Sequence, residues 1–220
     1  SFAEIRAASN AMNAHIDEVI RWKRENPGDD LLTALIAAEE GGDRLTPGEL
    51  RDQVNLLFIA GHETTVNLIG TGIYELLRHP EQAAIWRADP ELDATAVDEM
   101  LRFVSPVQFS RRITLDDIEF QGTTIPKGMF VLAGLASSNH DPKKWGPTAE
   151  ELDVRRDGAG QHLSFGSGAH YCLGASLAKL EAAIAIGTFL RRFPDAAVSG
   201  DVEWNGRINL RGLEYLPVTV

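Results

Sequence analysis

The sequence predicts a mainly α-helical protein with small, segregated β-sheets, an α+β arrangement, and three features carry that prediction. Long stretches of the first half place apolar residues at helical spacing between recognisable caps. Residues from about 107 to 135 alternate instead, with turn signals at Gly122 and Pro126-Lys127-Gly128. The last residues, 197–220, alternate again around Gly212.

Residues 2–25 set Ile5, Met12, Ile16, Val19 and Ile20 at helical intervals, and Pro27-Gly28 ends that helix. Asp29 or Asp30 can cap a second helix over 30–40, which Gly41-Gly42 stops. Thr46-Pro47-Gly48-Glu49 spells a capping box with Pro at the first helical position, so a strong start is expected for a helix over 47–78. It ends at His79-Pro80. Shorter helices follow over 81–88 and 93–103, separated by Asp89-Pro90. After Ser105-Pro106 the alternating region reads as several short strands. Residues 139–162, rich in Pro, Gly, Asp and Arg, read as an irregular but ordered loop. A cysteine loop over 163–174 leads into a helix over 174–193, ended by Phe193-Pro194, and 197–220 reads as a β-hairpin turning at Gly212. With no repeat or low-complexity segment, 220 residues are expected to form one domain over 1–220.

Composition excludes several classes. A net charge of −11, with no basic run and no aromatic-basic interleaving, argues against a nucleic-acid partner. No apolar run approaches the roughly 18 residues a membrane span needs. The first residues lack the charged and apolar blocks of a signal peptide and read as a helix already under way. A single cysteine permits no internal disulfide and points to a reducing, cytoplasmic compartment.

That cysteine lies in Phe165-Gly166-Ser167-Gly168-Ala169-His170-Tyr171-Cys172-Leu173-Gly174. A lone cysteine is most often a buried hydrophobe. Here Gly166, Gly168 and Gly174 let the backbone turn tightly beside a flat ligand, and loop amides with the following helix start favour an anionic sulfur. One thiolate without cysteine or histidine partners at zinc spacing cannot close a tetrahedral site, but it can give one axial bond to an iron held in a porphyrin. Phe165 would pack beside it. A nucleophilic cysteine would need a paired histidine and an oxyanion hole, and His170 alone does not supply them. Within the long helix, Ala60-Gly61-His62-Glu63-Thr64-Thr65 carries residues that weaken a helix, Gly by about 1 kcal/mol against Ala. The bland reading is a loosely packed turn with back-bonded threonine. The functional reading is a slot at Ala60-Gly61 for O2 and substrate, with Glu63 and Thr64 relaying protons.

The cysteine loop matches Phe-x-x-Gly-x-x-x-Cys-x-Gly at every fixed position and resembles the haem-ligand signature of the cytochrome P450 family. The resemblance covers essentially the whole chain as the C-terminal portion of that fold. It implies a haem-thiolate monooxygenase with haem b as cofactor, Cys172 as iron ligand, and Phe165, Gly166, Gly174 and Ala60 around the cofactor. Glu63 would be the acid and Thr64 the alcohol of the oxygen-binding helix. Glu99 and Arg102 would form a buried pair joined by Arg156, with Arg155 as the neighbouring option. Arg112 and His170 would neutralise the haem propionates. Asn139-His140-Asp141-Pro142 resembles the family's Asn-Arg-Asp-Pro turn, with His in place of Arg. Implied partners are a small apolar organic substrate, O2, and a ferredoxin or flavodoxin type electron donor docking near Lys179, Arg191 and Arg192, with no nucleic acid and no membrane. Ala60, Thr64, Val107-Gln108-Phe109 and Leu213-Glu214-Tyr215 are candidate substrate contacts. Family members also carry an N-terminal part with lid helices, so the alternative implied is a haem-binding fragment that does not turn over.

Overall fold

Helix starts written in the sequence are made by the side chains that write them. A computed structural model describes residues 1–40 and 45–220. The first helix, α1 (Phe2–Glu25), opens on a reciprocal box between Ser1 and Glu4. Asp30 rather than Asp29 caps α2 (Leu31–Glu40), accepting from Thr33 N at 2.9 Å. The expected stop at Gly41-Gly42 lies outside the described residues. At the start of α3 (Pro47–Arg78), Thr46 N donates to Glu49 Oε2 at 2.7 Å while Glu49 N donates to Thr46 Oγ1 at 3.3 Å. These bonds from Thr46 hold the Glu49 carboxyl below its ordinary pKa. Then come α4 (Pro80–Ala88), a 3-10 turn over Pro90–Leu92 capped by Asp89, and α5 (Asp93–Val104). Ser105 ends α5 in the left-handed region, at φ 37°.

The alternating region folds as two antiparallel pairs. β1 (Phe109–Ile113) pairs with β4 (Phe130–Gly134), Arg112 opposite Val131. Between them β2 (Ile118–Phe120) pairs with β3 (Thr123–Ile125) across Gln121-Gly122, both at positive φ, the conformation of a tight hairpin turn that Gly122 makes inexpensive. Residues 139–162 are less irregular than expected. α6 (Leu135–Asn139) precedes them, and Asp141 caps α7 (Pro142–Trp145) with Pro142 at its first position. After α8 (Ala175–Arg192) the tail pairs in two nested steps, β5 (Ala197–Val198) with β8 (Val218–Thr219) and β6 (Glu203–Trp204) with β7 (Leu213–Tyr215). Gly212 does not make the turn. The chain reverses over 205–211, and a Cβ at Gly212 would collide with the Asn67 side chain of α3. Glycine is required there for close approach, which is why it imitated a turn signal.

The contacts divide the chain into two compact units, Ser1–His62 and Glu63–Val220, with α3 passing from one to the other. The first unit closes on Ile16, Ile20, Ile36 and Leu50, flanked by Met12, Leu32, Leu35, Leu45 and Val54. The second packs Leu68 and Leu76 of α3, Trp86 of α4, Val97 and Met100 of α5, Val154, and Ala182 and Ile186 of α8. α8 therefore rests on a core shared by three other helices, which fixes the loop that precedes it. No helix among the described residues is long and apolar enough to cross a membrane.

Candidate functional site

The cysteine loop is built by backbone bonds rather than by side chains. Gly166 N donates to Leu163 O at 2.8 Å, and Gly166 and Gly168 both take φ 71°, which favours glycine. A 3-10 turn over Gly168–His170 brings the chain back, and Cys172 N donates to Phe165 O at 3.0 Å. Cys172 O then accepts from Ala175 N at 3.3 Å and hands the chain to α8, whose N-cap Gly174 brings no side chain. Cys172 is half-buried and unbridged. A Cβ built on Gly168 or Gly174 meets no atom within 4 Å, and one on Gly166 meets only His170 O at 3.9 Å. Open space therefore lies along the loop, and Tyr171, Leu173 and Leu177 present exposed apolar surface beside it. This donor set fits a haem: a soft sulfur, room for a flat group, and an apolar surround. Phe165 reaches the edge of the core and packs against His162 and Tyr171, with centroids 5.4 and 6.1 Å away.

A buried charge cluster joins α5 to residues 148–156 of the preceding loop region. Arg102 grips Glu99 bidentately, Nε to Oε2 at 2.7 Å and Nη2 to Oε1 at 2.8 Å, with both side chains fully buried. Arg156 Nε adds contacts of 3.1 Å to both carboxylate oxygens. Remaining guanidinium protons reach carbonyls: Arg102 to Asn139, Ala149 and Glu151, Arg156 to Thr148 and Glu151. Every charge is met, the condition under which buried ions are tolerated. Arg155 points elsewhere. It is exposed, and its backbone N donates to Asp153 Oδ1.

Two groups escaped the reading of the sequence. Buried Asn139 donates to Ser105 Oγ and Ser164 Oγ at 2.8 Å each and accepts from Leu163 N at 2.7 Å, tying α5 and α6 to the residue before Phe165. Its turn motif was visible, but the tertiary role was not. His140, in the position that departs from the family turn, joins Glu150 Oε2 to Phe103 O, 3.0 Å from each. The second group joins Asp98 of α5, His162, and Lys179 of α8. Burial works to raise the Asp98 carboxyl, but His162 and Lys179 together outweigh it and hold the group below its ordinary pKa.

Glu63 is half-buried and ion-paired with Arg207 from the loop between β6 and β7. Thr64 follows it, also half-buried, while Ala60 is exposed within the first unit. A Cβ on Gly61 would meet nothing within 4 Å. Of the two candidate substrate segments, the first meets the loop that precedes the second: Val107 bridges Leu210, and Gln108 N donates to Asn209 O at 2.9 Å. Exposed Arg112 donates to Ser110 Oγ and Arg111 O, and His170 is exposed on the cysteine loop. The expected basic docking patch is partly spent: Lys179 is paired with Asp98, and Arg191 forks onto Asp93 at 3.0 and 3.2 Å.

A family model described as Cytochrome P450 matches residues 2–89 and 90–205. Cytochrome P450 107B1 of Saccharopolyspora erythraea is 47% identical over 96% of this chain and 53% of its own length. Cytochrome P450 monooxygenase PikC of Streptomyces venezuelae is 43% identical over 98% of this chain and 53% of its own. The structure of the tirandamycin C-bound P450 monooxygenase TamI superposes with a TM-score of 0.89 at 44% identity, covering 96% of this chain and 54% of that one. The chain thus spans about half the length of the curated relatives it matches.

Proposed function

The chain belongs to the cytochrome P450 family, and from that premise we propose that it is the haem-thiolate, C-terminal part of a bacterial monooxygenase. Its reaction inserts one atom of O2 into a small apolar organic substrate. The observation that carries this reading is Cys172, half-buried at the end of a loop closed onto Phe165 with open space along its glycines. When bound, haem b supplies O2 activation and oxygen transfer.

The chain's own residues take the remaining tasks. Cys172 holds the iron, Phe165, Gly166 and Gly174 shape its loop, and Ala60 leaves room on the oxygen-binding helix. Arg112 carries positive charge to the propionates, and His170 offers them a ring N–H. Glu63 and Thr64 are adjacent on α3, a carboxylate and a hydroxyl that pass protons between solvent and the oxygen site. Glu99, Arg102 and Arg156 hold the support on which α5 and the loop before the cysteine rest. Val107, Gln108 and Phe109, with Leu213, Glu214 and Tyr215 of β7, contact substrate. Electrons come from a ferredoxin or flavodoxin type donor. Because Lys179 and Arg191 are already paired, that donor gains less from charge than three free cations would give. The proposed setting is the cytoplasm, supported by a single unbridged cysteine.

A second reading is a haem-binding piece without turnover, favoured by the apolar residues left exposed on α8, Leu177, Leu180 and Ile184. The adjacent Glu63 and Thr64 favour the enzyme, because binding haem alone needs neither. The two separate in one assay. The haem-loaded chain, given a ferredoxin, its reductase and labelled O2, is expected to put label into product, and Thr64→Ala to divert electrons from product. Haem binding with no label in any product, whatever the donor, establishes the second reading.

A further inference from the structure

Ser164 selects the tautomer of a buried ring. Its backbone N–H donates to His162 Nδ1 at 3.1 Å, so that nitrogen is bare and a neutral ring carries its proton on Nε2. Nε2 is buried without a hydrogen-bond partner among the described residues and faces Asp98 Oδ1 at 3.6 Å, a charge contact beyond hydrogen-bond reach. That oxygen is already engaged as an ion pair, 2.6 Å from Lys179 Nζ. The ring lies tilted against that of Phe165, whose carbonyl accepts the Cys172 N–H.

We propose that His162 is a positioning residue for the cysteine loop, its bare Nδ1 latching the Ser164 amide while Asp98 and Lys179 govern how readily a proton opens the latch. A second proton can go only to Nδ1. It turns the acceptor into a donor facing the Ser164 N–H, so the bond is lost while the charged ring is drawn towards Asp98. Lys179 opposes that step by compensating Asp98 first. Among the described residues the charged groups that meet the ring are Asp98 from α5 and, through Asp98, Lys179 from α8; Arg155, Arg156 and Asp157 line a cleft together with Asp98. The significance for Cys172 rests on the haem-thiolate reading, whereas the latch is a property of the chain with or without haem.

Ring-labelled histidine spectra of the whole chain should show the proton on Nε2. Ser164 amide protection, taken relative to its intrinsic exchange rate, should fall as pH drops from about 8 to about 5. His162→Phe keeps an aromatic ring against Phe165 but has no acceptor, so protection is about tenfold lower throughout, the loss of one hydrogen bond. His162→Asn places an amide oxygen where Nδ1 lies and cannot titrate, restoring protection at every pH. Lys179→Met makes the loss set in at higher pH than in the parent. A proton found on Nδ1, or parent protection that ignores pH, overturns the latch. With haem bound, the red-shifted Soret band of the ferrous carbon monoxide complex should give way at higher pH in His162→Phe than in the parent or His162→Asn. A parent band unaffected by His162→Phe means that the ring does not position Cys172. Absence of that band from the parent at every pH removes the haem reading instead, and leaves the exchange pattern to judge the latch.

Discussion

Glu99 and Glu63 are both glutamates paired with arginine, and they do opposite work. Glu99 is wholly buried against Arg102, with Arg156 beside them, whereas the side chains of Glu63 and Arg207 keep 31% and 58% of their exposure. In the first region charge is a construction element: three ions and their carbonyl partners join α5 to the loop leading towards the cysteine. In the second, charge faces solvent at the helix that carries the proposed proton pair. The contrast shows that an ion pair's contribution depends on what surrounds it. Removing a partner inside leaves a charge with no water, while removing one outside returns it to water.

Breaking the buried side should therefore have the largest effect. Glu99→Ala strands two guanidinium groups and is expected to cost about 3–5 kcal/mol, read as a lower urea midpoint or failure of the chain to fold. Asn139→Ala comes next. It leaves Leu163 N without its acceptor and removes a partner from Ser105 and Ser164, for about 1–3 kcal/mol in the same measurement. Asp98 gives a smaller effect that depends on pH. Its folded pKa lies below the ordinary carboxylate value, so the unfolded chain binds more protons in acid. Its contribution is whole above the ordinary value and disappears as pH falls through the folded one. In a urea-midpoint series between about pH 3 and about pH 6, Asp98→Asn should flatten the acid limb. Arg207→Ala is expected to change stability least, by under about 1 kcal/mol. A loss of several kcal/mol there would erase the contrast between the two glutamates.

Local chemistry was legible in the sequence. The Thr46-Glu49 box, the Asp30 cap and the Gly122 turn are written within four residues of where they act, and the glycine-spaced cysteine loop closes on itself within ten. Contacts made by packing were not. Asp98, His162 and Lys179 lie on α5, a loop and α8, and no periodicity announces that they meet. The same holds for Arg207, whose loop reaches Glu63 only once the tail has paired. Arg156 and Arg155 look equivalent as letters. The backbone separates them, turning one into the core and the other to solvent. Gly212 misled because glycine answers two demands, a turn or a close neighbour, and here the neighbour is Asn67.

The most direct test is the ferrous carbon monoxide difference spectrum of the haem-loaded chain beside that of Cys172→Ser. A thiolate opposite the carbon monoxide should move the parent's Soret band far to the red, and the serine variant should lack that shift while its fold stays intact by circular dichroism. An identical band in both proteins would mean that the sulfur does not hold iron, and the account built on Cys172 would be wrong.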